Sequence, residues 1–279
     1  MAGGNVSAGR PPAPAVPRPG RLGPWLRCWA PRPSAGIRLI CLPHAGGSAG
    51  FYRPWASLMP PQVELLALQY PGREERYSEP MIDRMETLVT AATDALEPIL
   101  DRPYALFGHS MGSAVAWELA GNLRALGLPA PKRLLVSGRA APGAAPAGAL
   151  HRGDDDALCT ELRRLGGTHQ EVLSDPELRD AVLGCVRNDY RLIETHRPRA
   201  RPQLDSPIAV FTGDADTEFD TRSFPDRTGG WSALTTSRTR VHTFSGDHFY
   251  LVPQRDRVVA AVLRALDPSL AAGPWPSTP

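Results

Sequence analysis

The chain has 279 residues, 42% of them hydrophobic, and a formal net charge of only +2 at pH 7. This length and apolar content suffice for one domain with a large core. The near-neutral balance argues against nucleic acid or an anionic membrane as a partner.

Lys132 is the only lysine, so the cationic residues are otherwise arginines; this reads as coding bias rather than as a binding surface. Cys28, Cys41, Cys159 and Cys185 show no CxxC spacing, which favours reduced, mostly buried thiols. The first 24 residues are rich in proline, glycine, alanine and arginine and lack the apolar core of a signal peptide. They read as a disordered tail, with Trp25, Leu26 and Trp29 the first residues to dock. No run approaches the roughly 20 apolar residues of a membrane span, so a soluble, cytoplasmic protein is expected.

In chain order, Ile37–Leu42 is a short apolar run of the kind found in a buried parallel strand, and it ends in the turn Pro43-His44-Ala45-Gly46-Gly47. A second strand, Val63–Leu68, is closed by Gln69-Tyr70-Pro71-Gly72-Arg73. From Asp83 to about Leu100, Met85, Leu88, Val89, Ala92, Leu96 and Ile99 recur at helical spacing. Asp83 with Glu86 resembles a helix start.

The stretch Tyr104–Ala120 follows, a strand that runs into Gly108-His109-Ser110-Met111-Gly112 and then at once into a helix ending near Gly127. Small residues at 108 and 112 permit a sharp bend that exposes Ser110 at its apex. Gly46-Gly47-Ser48-Ala49-Gly50 fits the same template, but Ser48 lies several residues past its strand and is soon followed by Pro54, so Ser110 is the candidate nucleophile.

Arg133–Ser137 is the next strand, after which the strand–helix alternation stops. Residues 140–200 form an insertion with two helical patterns. One opens at Asp154–Asp156 with Leu158, Leu162 and Leu165; the other opens at Asp175-Pro176 with Leu178, Val182, Val186, Tyr190 and Ile193. At the catalytic edge of a sheet such an insertion is expected to be a lid. Ser206–Thr212 delivers Gly213-Asp214-Ala215-Asp216, and Arg240–Phe244 leads into Ser245-Gly246-Asp247-His248. A closing helix over Pro253–Asp267 and a frayed tail over residues 268–279 complete the chain. Alternating strands and helices predict an α/β fold with a mostly parallel sheet and helices on both faces.

Serine needs a base within hydrogen-bond reach, and that base needs an acceptor to fix its tautomer and stabilise its cation. The chain supplies both just past strand ends in the order Ser110, Asp214 or Asp216, His248, the order expected of an α/β-hydrolase. His248 alone among the histidines has this placement. Asp216 is preferred as the acid because Asp214, one residue past Gly213, is better placed to satisfy turn backbone. Asp247, adjacent to His248 in the chain, is a poor geometric partner. The backbone N–H groups of Ala45 and Met111 are the candidate oxyanion donors. His44 reads as a structural turn residue.

Together Leu42–Ser48, Gln69–Arg73, Phe107–Gly112, Val136–Arg139, Gly213–Asp216 and Gly246–Leu251 resemble the type II thioesterases of polyketide and nonribosomal peptide biosynthesis, over roughly residues 25–266. The resemblance implies an α/β-hydrolase fold with a helical lid and a Ser110, Asp216, His248 triad, its oxyanion donors on Ala45 and Met111. It implies an editing hydrolase; a monomer is expected, and the chemistry calls for no metal or other cofactor. Its substrates would be acyl groups on the phosphopantetheine arms of acyl or peptidyl carrier domains. After the acid the family commonly has proline and then a basic residue, where this chain has Thr217-Glu218-Phe219-Asp220. A carboxylesterase or lipase, and a catalytically silent carrier-binding protein, are the alternative readings.

Overall fold

The computed structural model describes residues 22–144, 148–167 and 175–271. The expected amino-terminal tail to residue 21, and the chain end from residue 272, lie outside the described residues. Seven strands form one sheet in the order β1-β3-β2-β4-β5-β6-β7. They are β1 (Leu26–Arg27), β2 (Ile37–Leu42), β3 (Val63–Leu68), β4 (Tyr104–His109), β5 (Arg133–Ser137), β6 (Ile208–Gly213) and β7 (Thr239–Phe244). Only β1 runs antiparallel, pairing Leu26 with Leu68; the other pairings are parallel. Among the described residues the α-helices are α1 (Met85–Leu96), α2 (Met111–Ala125), α3 (Asp155–Leu165), α4 (Pro176–Thr195) and α5 (Arg255–Leu266).

Successive side chains on a strand point to opposite faces, which divides the core in two. Ile40, Leu42, Leu106, Val136 and Val210 lie under α1 and α2. Leu39, Cys41, Phe107, Leu135 and Phe211 lie under α5 and the 3-10 turns of Ala49–Leu58. Burying each such large side chain contributes about 2 kcal/mol, and coverage of both faces explains why these strands read as continuous apolar runs. β7 closes one edge with Arg240 and Thr243 exposed, charge and polarity that discourage pairing with another chain.

The structure departs from the sequence reading in the first strand and the first helix. β1, which the sequence reading did not predict, is only two residues long, too short to show a period. α1 starts at Met85 rather than Asp83: the Asp83 carboxylate sits 3.2 Å from Arg191 of α4 instead of capping the helix. It ends at Leu96, with a 3-10 turn over Glu97–Ile99, because Pro98 has no N–H to continue the ladder. In the insertion, α3 and α4 start at the expected caps, Asp154 accepting from the N–H of Ala157 and Asp175 from those of Glu177 and Leu178. The buried face of α4 is Leu183, Val186, Asp189 and Leu192, however, and Leu178 is exposed.

The turn between β4 and α2 is the tightest point of the core. A Cβ on Gly108 would lie 2.1 Å from the carbonyl oxygen of Gly112, and one on Gly112 would lie 2.1 Å from the carbonyl oxygen of Leu42. Beside this turn, His109 is fully buried, its Nδ1 2.9 Å from Ser137 Oγ, which is 2.7 Å from Tyr250 Oη. This chain ties the ends of β4 and β5 to the segment after β7.

Because backbone rather than a flexible side chain occupies the space, Gly112→Ala should lower stability by about 3 kcal/mol. A urea midpoint equal to that of the wild type would show that α2 shifts freely. Burial, with His248 and His44 close by, holds the His109 imidazole well below the ordinary histidine range. The folded protein therefore keeps it neutral, whereas the unfolded chain takes up the proton near pH 6.5, about the reference value. Stability from this source is complete above that pH and falls as pH drops, by up to about 1.4 kcal/mol per unit. His109→Gln should flatten the decline of the urea midpoint between about pH 6.5 and 5; an unchanged slope would remove His109 as its source.

Candidate functional site

Ser110 sits between β4 and α2 with φ 52 and ψ −118, a conformation that costs a non-glycine residue of order 1–3 kcal/mol. Its N–H donates to Ser137 O at 2.7 Å, and its carbonyl accepts from the N–H of Ser113 at 2.9 Å. Ser113 Oγ donates to Gly108 O at 2.8 Å, which secures the turn from beneath. The strain is thus held by backbone bonds on both sides, and the side chain is left at the half-buried apex.

The loops after β6 and β7 are fastened to each other by backbone contacts. Gly213 meets Gly246 so closely that a Cβ would lie 2.3 Å from the Gly246 carbonyl oxygen. The Asp214 N–H donates to Phe244 O at 2.8 Å, and that of Ala215 to Gly246 O at 3.0 Å. Asp214 Oδ1 accepts from the Gly246 N–H at 2.9 Å, the backbone duty expected of it. Asp216 is buried, its two carboxylate oxygens 3.1 and 3.0 Å from His248 Nδ1. Asp216 Oδ1 also accepts from the N–H of Glu218 at 2.9 Å. Asp247 bonds within its own turn, accepting from the Phe249 N–H.

The end of β5 lies against both His248 and Ser110. A Cβ on Gly138 would lie 3.1 Å from His248 Cε1, and the residue before Gly138 accepts the Ser110 N–H. Ser110 and His248 line one cavity of about 490 Å³, with Arg139, Tyr190, Glu194 and Glu218 further along its wall. No hydrogen bond joins Ser110 to His248 among the described residues. Such contacts commonly tighten only when substrate is bound.

The turn after β2 lies beside the elbow: Gly112 packs against Leu42 O, and His44 is 5.9 Å centroid to centroid from His109. The Ala45 N–H has no acceptor among the described residues, nor has that of Met111, the first residue of α2. Helix N-termini leave such donors free for an anion. Burial, then the charges of His248 and Arg73, pull the His44 imidazole down to about 3. Burial likewise keeps the His109 imidazole neutral, 4.9 Å centroid to centroid from the His248 ring.

Of the other described histidines, His151 pairs with Glu194, His196, which also lines the cavity, pairs with Glu118, and His242 stacks on Phe211; His169 lies outside the described residues. Ser48 Oγ donates to the Glu74 carboxylate at 2.5 Å and bonds no histidine among the described residues. The four cysteines are unbridged, and Cys28 and Cys185 are only part-buried. Among the described residues no cluster of three His, Cys, Asp or Glu side chains is disposed to hold a metal ion, and no helix is long and apolar enough to cross a membrane.

Sequence reasoning missed several residues. Arg139 lines the cavity with no ion pair among the described residues, and burial pushes its guanidinium below the ordinary value, opposed by Glu218, Tyr190 and Glu194. Arg164 of α3 pairs with Glu218, which accounts for an acidic residue after the acid loop. Asp189 of α4 pairs with Arg73. In the sequence Asp189 is one acidic residue on a helix, without a spacing that marks it as buried.

Residues 37–269, well over half of the chain, match the thioesterase domain family. Thioesterase PikA5 of Streptomyces venezuelae is 39% identical over 83% of this chain and 82% of its own length. The solved type II thioesterase BorB from the borrelidin biosynthetic cluster is 40% identical, with a TM-score of 0.78 covering 87% of this chain and 97% of that one. RedJ, a thioesterase from the prodiginine pathway of Streptomyces coelicolor, is 36% identical, with a TM-score of 0.76 covering 84% and 94%. With a strained serine and a carboxylate-bound histidine sharing one cavity in an α/β-hydrolase sheet, the chain belongs to the thioesterase family and is a thioester hydrolase.

Proposed function

We propose that the protein is an editing thioesterase, releasing stalled or aberrant acyl groups from the phosphopantetheine arms of acyl or peptidyl carrier domains in a polyketide or nonribosomal peptide synthase. The observation that carries this reading is the Asp216–His248 pair, opening on a cavity that also holds Ser110. Relatives named for such clusters, BorB among them, support the choice of substrate. The protein would act as a cytoplasmic monomer, with α3 and α4 as a lid.

His248 takes the Ser110 proton as the serine oxygen attacks the thioester carbon, and Asp216 stabilises the imidazolium through Nδ1. The developing oxyanion accepts from the Ala45 and Met111 N–H groups, which need not reorganise as charge builds. The tetrahedral intermediate then collapses: its C–S bond breaks, and His248 returns the proton to the departing pantetheine sulfur. With a reference pKa of about 8.5 it departs more readily than an alkoxide. Water, activated by His248, attacks the acyl-enzyme, and the carboxylic acid is released. No metal or redox group enters these steps.

Ser110→Ala should abolish release of acyl groups from carrier proteins, by at least about 10⁴-fold, and should lose covalent labelling by a fluorophosphonate. A labelled Ser110→Ala protein would remove this serine as the nucleophile. An unlabelled but folded wild type would favour a carrier-binding protein, and faster turnover of simple aryl esters than of acyl-carrier thioesters would favour an esterase. Asp216→Asn should cost kcat about 10⁴-fold, and Asp214→Asn far less; the reverse ranking in a kinetic comparison would transfer the acid role to Asp214.

A further inference from the structure

We infer that Asp189 of α4 is a positioning residue for the oxyanion loop, so that the seated helical insertion and a competent oxyanion hole are one state. This rests on the reading of the Ala45 N–H as an oxyanion donor.

Helix α4 lies directly on the glycine turn after β2. Gly46 has φ +74, and a Cβ there would be 2.6 Å from Val186 Cγ2. One turn further along, Asp189 is 2% exposed. Its Oδ2 accepts from the Gly46 N–H at 2.8 Å and from Arg73 Nη1 at 2.7 Å, while Oδ1 accepts from Arg73 Nη2 at 2.9 Å and from Asn188 Nδ2 at 3.2 Å. Arg73 Nη1 also donates to Gly47 O at 3.0 Å. The turn is therefore gripped at two successive residues, through the N–H of Gly46 and the carbonyl of Gly47. Ala45 is the residue immediately before that grip.

The segment after β3 completes the clamp and gives the Gln69–Arg73 motif a use. Gln69 accepts from the Ala49 N–H at 2.9 Å and donates to Arg73 O at 3.1 Å, and Arg73 lies over the Tyr70 ring. Cys185 Sγ donates to Gly72 O at 3.3 Å, and Asn188 Nδ2 to Ile82 O at 2.9 Å. The same side of α4 thus holds the turn, the Arg73 loop and the lead-in to α1. A bidentate Arg–carboxylate pair fixes orientation as well as distance. Without Asp189 the Gly46 peptide is free to rotate and Arg73 is left as an uncompensated buried charge.

The test compares Asp189→Asn with the double variant Arg73→Leu/Asp189→Leu, which removes the ion pair without leaving a lone charge. Hydrolysis of an acyl-carrier thioester gives kcat and KM, affinity for an alkyl trifluoromethyl ketone reports on the oxyanion hole, and thermal unfolding reports on the fold. Asp189→Asn should lower kcat and ketone affinity together, each by at least about tenfold, with KM within about twofold. The double variant should recover the thermal midpoint but not kcat. Wild-type kcat in Asp189→Asn, or recovery of both quantities in the double variant, overturns the inference. Ala45→Pro separates the underlying reading: if it folds and hydrolyses at the wild-type rate, the oxyanion assignment fails first. Should it not fold, a trifluoromethyl ketone that binds wild type no more tightly than the matching methyl ketone also overturns that assignment.

Discussion

The contact on which the rest depends is backbone against backbone, where α2 leaves β4 and touches the end of β2 with no side chain between. Gly108 and Gly112 permit that approach, and Ser110 is forced to φ 52 as its consequence. The strain persists because the surrounding bonds over-determine it: Ser110 N–H to Ser137 O, and Ser113 Oγ to Gly108 O. The geometry that lifts the serine hydroxyl into the cavity also leaves the Met111 N–H without an intrahelical acceptor. One local constraint thus presents a nucleophile and an anion donor side by side.

Around this fixed point, polar contacts rather than apolar burial set the orientation of the moving chemistry. The loops after β6 and β7 meet at Gly213 and Gly246, which directs Asp216 onto His248 and turns Asp214 to backbone duty. The neighbouring imidazoles of His44 and His109 are kept neutral by burial. The insertion touches this apparatus through both helices, with α4 on the glycine turn and α3 on the loop that carries Asp216.

Much of this was legible in the residues. The parallel strands were visible as unbroken apolar runs because both sheet faces are covered, and the elbow because its glycines answer a steric demand at fixed spacing. The caps Asp154 and Asp175 announced α3 and α4 through local side-chain chemistry. What escaped depended on distant partners. Asp83 resembles a helix cap until Arg191 approaches it; Leu178 fits the period of α4 yet faces solvent. Asp189 and Arg73 lie 116 positions apart, and nothing local to either reveals that they meet. β1 is too short for any period, and its pairing is fixed only by the edge of β3.

Two ties of the insertion, one from each helix, differ in their surroundings. Arg164 and Glu218 are 39% and 42% exposed, whereas Arg73 and Asp189 are 7% and 2% exposed. Mobile ions weaken attraction between solvated charges and barely reach a buried pair. Raising the ionic strength therefore weakens the tie of α3 to the acid loop more than the grip of α4 on the glycine turn.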